Sequence, residues 1–499
     1  MPKLVLAIDQ GTTATTVLLI DEKLSVVAKA STEILPTYPQ YGWVEHDLNK
    51  IWHGTVKTIE KVINSGGFSV GDIACIGITN QRETVGAWKK SNGEPLAPAI
   101  VWQCRRTSER CEKLKSNAEL AKTVKRKTGL VLDPYFSATK IEWLRENISG
   151  LKNQSDSGSA IFGTIDTYLL FMLSCGKSFA TDVSNASRTM LMDLRSLSWD
   201  KELLQLFNIP EHSLAKILPS SGKFGVTSAV GILPDGIPIM GILGDQQAAL
   251  FGQLCFEPGD MKCTYGTGSF LMCNSGEDII YSNHGLLTTV AWKMNNKVTY
   301  ALEGSAFVAG AAVQFLRDNL GIIKSSDEIE AMAAQVSDSD MGELVFVPSL
   351  TGLGAPYWAP NAKGMIYGLT RGTQKNHLAR AALEGIALQN NDLLIAIAED
   401  IQPKRLSRIK VDGGASANNL LIQLQANLAG ISIDRPKILD TTALGSALAA
   451  GLAAKIWDSE KDLRLAWQVD RSFSPNAGEK EMSALKSKWK SAIKRVLSE

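Results

Sequence analysis

The feature that most limits how this chain can fold is a local pattern that occurs twice: a strand, a turn containing Gly and Thr, and a second strand. Its first copy reads as strand Leu4–Ile8, turn Asp9-Gln10-Gly11-Thr12-Thr13 and strand Thr15–Ile20. Its second copy reads as strand Asp260–Tyr265, turn Gly266-Thr267-Gly268 and strand Ser269–Cys273. Such a turn points several backbone N–H groups the same way; glycine admits a phosphate close to the chain and threonine adds hydroxyl donors. Either copy alone is more often only a turn. Two copies, one opening each half, are explained together by a nucleotide clamped between facing hairpins. The Asp9 carboxylate repels a phosphate, but it can hold Mg²⁺, usually through water, and the ion can hold the phosphates.

With 499 residues the chain exceeds one ordinary hydrophobic core. The repeat therefore reads as two α/β domains, residues 1–250 and 251–499, with a ligand in the crevice between them. Helical spacing runs over Leu48–Ile63, Ala306–Leu320, His377–Ile397 and Asn418–Ala429, and a C-terminal stripe of Met482, Leu485, Trp489, Ile493 and Val496 forms one apolar helix face. Gly150–Ser159 and Pro219–Gly225 read as loops. There is no GxxxxGK[ST] loop and no GxGxxG opening a helix after the first strand, which excludes a P-loop enzyme and argues against a dehydrogenase. Gly413-Gly414-Ala415-Ser416, between strand Arg408–Val411 and a helix, suits an adenosine lying on the backbone and equally suits a plain tight turn.

A net charge of +1 gives no general case for nucleic acid or an anionic membrane. The basic run Lys122–Lys127 reads as a solvated helix face. Seven cysteines without CxxC spacing point to a reducing cytoplasm rather than a disulfide framework or zinc site. The start of the sequence shows no signal-peptide pattern, and the small-apolar run Ala443–Ala454 is too short and glycine-rich to span a bilayer.

Three strand ends carry chemistry. Asn80-Gln81-Arg82-Glu83 follows strand Ile73–Ile78 and supplies adjacent donors and an acceptor, a combination that suits hydroxyls. A surface ion pair is the plainer alternative. Trp102 offers an apolar wall, or is a core tryptophan. Asp245, after the apolar strand Ile237–Leu243, is placed to take a proton from an attacking alcohol, or to cap the helix starting at Gln246.

These stretches stand in one order that resembles the FGGY carbohydrate kinase family. They include Ala7 to Thr13, Thr79-Asn80-Gln81-Arg82-Glu83-Thr84, Val101-Trp102-Gln103-Cys104-Arg105-Arg106-Thr107, Asp133-Pro134-Tyr135-Phe136-Ser137 and Gly244-Asp245-Gln246-Gln247. Tyr265-Gly266-Thr267-Gly268, Leu353-Gly354-Ala355-Pro356-Tyr357-Trp358, Asp412 to Asn418 and Ala443-Leu444-Gly445-Ser446-Ala447 complete the series. Asn-Gln-Arg-Glu and Trp-Gln-Cys-Arg point to the branch acting on glycerol.

The resemblance implies an α/β fold of two actin-like (ribonuclease-H-like) ATPase domains flanking a deep interdomain cleft. It implies transfer of the ATP γ-phosphoryl group to glycerol, giving sn-glycerol 3-phosphate and ADP, and a homodimer or homotetramer. By motif match, Arg82, Glu83, Tyr135, Asp245 and Gln246 would hold glycerol, with Trp102 and Phe270 on its carbon side and Asp245 as base. Nucleotide contacts would fall on Thr12, Thr13, Ala14, Thr16, Thr267, Gly310, Gln314, Gly414 and Asn418, and Mg²⁺ near Asp9 and Asp245. The chain departs from the family pattern where Ala14 and Thr16 replace a usual serine and arginine, which removes one cation from the phosphate side. Gly231–Pro238, the counterpart of a fructose 1,6-bisphosphate loop in some bacterial members, has no basic residue and no histidine, so neither that inhibitor nor phosphorylation control is expected.

Overall fold

The computed structural model describes residues 3–402 and 406–498. Its backbone is one thirteen-stranded sheet. The strands are β1 (Leu4–Gln10), β2 (Ala14–Ile20), β3 (Val26–Glu33), β4 (Ile73–Asn80), β5 (Ser221–Val226), β6 (Pro238–Gly244) and β7 (Met261–Tyr265). They continue with β8 (Ser269–Gly276), β9 (Leu287–Met294), β10 (Lys297–Ala306), β11 (Ile409–Asp412), β12 (Ile433–Pro436) and β13 (Val469–Phe473). The spatial order is β13-β12-β11-β7-β8-β10-β9-β5-β6-β4-β1-β2-β3.

The two halves share a plan. In the first, the hairpin β1–β2 is antiparallel and β1, β4 and β6 run parallel. In the second, the hairpin β7–β8 is antiparallel and β7, β11 and β12 run parallel. The halves meet within the sheet at Ser221, which pairs with Met294. Parallel strands buried on both faces need apolar runs, and Leu4 to Ile8 are all buried.

Helix α1 (Leu48–Ile63) has the predicted bounds. Asp47 caps it, accepting from Asn49 N–H at 2.8 Å, and Ile51, Thr55, Ile59 and Val62 form the buried face. Helices α2 (Asp245–Gly252), α3 (Lys375–Asp400), α4 (Asn419–Ala429), α5 (Thr441–Ala453) and α6 (Glu479–Leu497) follow. On α6, Met482, Trp489, Ile493 and Val496 are buried as the stripe predicted, and Leu485 is half-buried. The small-apolar run is α5, which packs on α2 and on β1, β4 and β6. A Cβ at Gly445 would collide with the Ala248 carbonyl of α2, so glycine there lets the two backbones touch. A helix of the second half thereby braces the helix that begins at Asp245.

Several local expectations give way. Gly150–Ser159 contains a helix, Leu151–Asp156, and Pro219–Gly225 is largely strand β5, because pairing with β6 overrides its loop-like composition. The helix expected from Ala306 starts at Gly310, since β10 continues to Ala306, and a π turn closes it over Phe315–Asn319. The first half also carries a second sheet of Glu45–His46, Ala99–Ile100, Val85–Lys89 and Ala160–Thr164, with its own core around Phe136, Phe162 and Phe207. The basic run is only partly a free face: Lys127 pairs with Asp200 at 2.6 Å, and Lys125 donates to the Ser282 carbonyl of the second half at 2.9 Å.

Candidate active site

The register of the first parallel trio sets Gln10 beside Asn80, and Asn80 beside Gly244. The segments leaving these strand ends therefore emerge side by side, which puts Asp9, Arg82 and Asp245 at one edge of the sheet. Just past β4 the chain makes a three-residue turn closed by Thr84 N–H to the Arg82 carbonyl at 2.6 Å. Glu83 sits at its centre with φ +59°, a strained conformation for a side-chain-bearing residue, and both side chains turn inward.

Arg82 is not a surface ion pair. Its Nε lies 3.0 Å from Asp245 Oδ1, its Nη1 donates to Gln247 Oε1 at 3.2 Å, and both terminal nitrogens donate to the Glu303 carboxylate, Nη2 at 3.0 Å. Arg188 donates from Nε to Glu83 Oε1 at 2.7 Å and from Nη2 to Glu303 Oε1 at 3.0 Å. Two guanidinium groups and two carboxylates thus form one buried, charge-balanced network spanning both halves. Burial acts to raise the Glu303 carboxyl, but Arg188 and Arg82 overcome it and hold it at about 2. Burial pushes Glu83 up, against the pull of the same arginines.

Above this floor stands an aromatic wall. Trp102 lies 5.5 Å from Tyr135 and 6.3 Å from Phe270, ring centre to ring centre. The Trp102 indole N–H donates to Thr12 Oγ1 at 2.9 Å, so the wall is tied to the first Gly/Thr turn. Lys140, buried and pushed down to about 8 by that burial, holds the Tyr135 carbonyl at 2.6 Å. Gln246 is buried; its Oε1 accepts from the fully buried Lys262, whose ammonium also donates to Thr264 Oγ1 at 2.9 Å and to the Phe270 carbonyl at 3.2 Å. Asp245 Oδ1 accepts the Gln246 N–H at 2.7 Å, so the carboxylate serves the start of α2 from within its first turn. Gly244 occupies the cap, and Asp245 is the first helical residue and keeps 28% of its side chain exposed.

The second trio repeats the arrangement. Thr264 lies beside Asp412 in register, so the turn Gly266-Thr267-Gly268 adjoins Gly413 and Gly414. Gly310 N–H donates to the Gly266 carbonyl at 3.0 Å, and a Cβ at Gly310 would crowd that carbonyl at 2.7 Å. Thr13, Thr267, Gln314 and Gly414 are exposed, and Thr12, Ala14 and Gly310 are half-exposed, so these turns are open to solvent. Three members of the expected nucleotide set have side chains already engaged, Thr12 through the Trp102 indole N–H at 2.9 Å. Asn418 Oδ1 caps α4 through Leu421 N–H at 2.9 Å, and Thr16, opposite Asp9 in the hairpin, pairs its hydroxyl with Ser31 at 3.1 Å.

Burial and repulsion from Asp245 and Asp440 push Asp9 up to about 8, partly offset by Lys29. A hard divalent cation beside these carboxylates would relieve that repulsion. Among the described residues no group of three or more His, Cys, Asp or Glu could enclose a metal. The carboxylate oxygens of Asp9 and Asp245 are hard donors of the kind Mg²⁺ takes, and such an ion would fill its other positions with waters and phosphate oxygens.

Arg188, Glu303 and Lys262 escape the sequence reading, and Gln247 enters it only as part of a motif, with no role assigned. Glu303 alone carries a signal, a single acid inside the apolar run Tyr300-Ala301-Leu302-Glu303. No disulfide links any of the seven cysteines, and no helix among the described residues is long and apolar enough to cross a membrane.

The N-terminal domain of the FGGY family of carbohydrate kinases matches residues 4–252, and its C-terminal domain matches residues 261–454. The chain is similar to the glycerol kinase of Bdellovibrio bacteriovorus, 50% identical over 497 residues covering 99% of this chain and 100% of that protein. It is also similar to the glycerol kinase of Myxococcus xanthus, 50% identical over 99% of both chains. Plasmodium falciparum glycerol kinase, solved with ADP, superposes with a TM-score of 0.92 at 37% identity, over 99% of this chain and 98% of that one. Gluconate kinase from Lactobacillus acidophilus shares the fold, with a TM-score of 0.88 at 22% identity, over 100% of this chain and 98% of that one.

Proposed function

The chain belongs to the FGGY family of carbohydrate kinases, and from that premise we propose that it transfers the γ-phosphoryl group of ATP to a terminal hydroxyl of glycerol, giving sn-glycerol 3-phosphate and ADP. The observation that carries the reading is the Arg82–Asp245 contact at 3.0 Å, at the foot of the Trp102–Phe270 wall and beside the first Gly/Thr turn. In this reading Asp245 accepts the proton of the attacking hydroxyl, and Arg82 Nε holds the carboxylate in place. Arg82, Glu83 and Gln246 bind the other hydroxyls, while Trp102, Tyr135 and Phe270 cover the carbon chain. Three aromatic rings over the carbon chain favour a short polyol over a sugar.

The turns at Thr12-Thr13-Ala14 and Thr267, with Thr16 behind the first, hold the phosphates through backbone and hydroxyl donors. Gly310, Gln314, Gly414 and the amide NH₂ of Asn418 line the nucleoside. Asp9 and Asp245 would hold Mg²⁺, which would supply charge neutralisation at the phosphates. Phosphoryl transfer passes through a loose transition state, so positioning and charge neutralisation carry most of the rate, and base catalysis adds about 10²- to 10⁴-fold. We further assign the division between the domains to residue 250, the location to the cytoplasm, and the assembly to a homodimer or homotetramer.

ADP release measured with glycerol, with a larger sugar and with no acceptor tests the reading. Glycerol is expected to stimulate turnover well above the other two, because closure over the polyol excludes water. Slow hydrolysis indifferent to polyols would make the chain an actin-like ATPase switch, and preference for the sugar would reassign the substrate.

A further inference from the structure

We propose that Glu303 is a positioning residue for the polyol site: reaching from the second half, it grips Arg82 from behind and so sets how Arg82 presents itself to Asp245 and to the substrate. The inference rests on the polyol-kinase reading of that site.

A guanidinium has five N–H donors in a rigid plane. In Arg82, Nε faces Asp245, Nη1 serves Glu303 and Gln247, and Nη2 gives one hydrogen to Glu303. That leaves one Nη2 hydrogen for a substrate hydroxyl. The bidentate grip of Glu303 fixes the plane, and with it the direction of both Nε and that remaining hydrogen. Without it, the guanidinium is free to rotate and to close both of its prongs on Asp245, which would engage the proposed base and withdraw the donor meant for the polyol.

Glu303 also couples the grip to the rest of the cleft. It lies opposite Met272 in the β8–β10 register, with Ser305 opposite Phe270, so the strand that carries it also pairs with the aromatic wall. Arg188 joins the same carboxylate to Glu83, with which it shares the network. A shift of the second half relative to the first therefore moves Arg82 and Phe270 together.

The test compares Glu303→Gln, which keeps the shape and removes the charge, with Glu303→Gln/Arg188→Met, which restores charge balance in the network and guards against failure to fold. Steady-state constants for glycerol and for MgATP are measured alongside ADP affinity by calorimetry. Both variants are expected to lose about 100-fold in kcat/KM for glycerol, the scale of a small misplacement of a reacting group. ADP affinity is expected to stay within about 2-fold, because the nucleotide turns do not use this network. Glu303→Asp, which keeps the charge on a shorter arm, is expected to recover part of the loss. Unchanged glycerol kinetics in a folded variant, or equal losses for glycerol and nucleotide, would overturn the proposal. A wild-type protein that does not phosphorylate glycerol would instead overturn the functional reading beneath it.

Discussion

The two sides of the cleft are built on opposite principles. The proposed polyol floor is made of side chains, with Arg82, Arg188, Glu83 and Glu303 buried, paired and held by contacts between the halves. The proposed nucleotide side is made of turns at Thr13, Thr267 and Gly414 together with Gln314 at the end of the helix Gly310–Gln314, all open to solvent. Buried ion networks are costly to break and hold one geometry. Exposed glycine turns adapt to a large, flexible, highly charged ligand. In the proposed function the floor carries discrimination, and the turns carry grip.

The largest test of that division is Asp245→Asn. Turnover is expected to fall by about 10²- to 10⁴-fold while ADP still binds, read by a coupled assay and by calorimetry; a parallel loss of nucleotide affinity would blur the two sides. Next is Trp102→Leu, which removes both the wall and the hydrogen bond to Thr12. KM for glycerol is expected to rise by about 10-fold, and KM for ATP by less, since one neutral hydrogen bond contributes about 1 kcal/mol.

Asp9→Asn addresses the nucleotide side alone. Asp9 titrates higher in the folded protein than an ordinary aspartate, near 8, because of burial and its carboxylate neighbours. The folded state therefore binds this proton more tightly, and stability is lost as pH rises from about 4 through about 8. Nucleotide-free protein is expected to melt at lower temperature at pH 8 than at pH 5.5, and Asp9→Asn to flatten that slope by on the order of 1 kcal/mol, about one degree for a chain of this length. The same variant should bind Mg·ADP more weakly, and a steeper slope would refute the assignment. The smallest expected effect is none: fructose 1,6-bisphosphate should leave turnover unchanged, because Gly231–Pro238 offers no cation. A drop in activity would place a binding site where neither side of the cleft predicts one.

The legible parts of the site are those written in contiguous residues. Asn80 to Glu83 and Gly244 to Gln247 stand at strand ends that hydrophobic patterning marks, and both Gly/Thr turns lie between alternating apolar runs. Arg82 was legible as a functional residue, yet its state was not: a surface pair and a buried four-charge network look the same in sequence. Two strands of the second sheet of the first half, Val85–Trp88 and Ala99–Trp102, are readable in the sequence on either side of the turn Ser91-Asn92-Gly93, but the sheet they join was hidden, because Glu45–His46 has only two residues, too few to show a period.

What the amino-acid order determined by itself is local: the repeated hairpins, the caps such as Asp47, the apolar faces of α1 and α6, and the chemistry available at each strand end. What only the tertiary structure decided is which charges meet. Arg82 and Glu303 stand 221 positions apart, and Arg188 and Glu303 stand 115 apart. Periodicity and propensity act over a few residues, whereas a buried ion network exists only where the two halves bring strands together and exclude water. The same exclusion makes its geometry hard to disturb, so the part of the site least visible in the sequence is the part the fold holds most firmly.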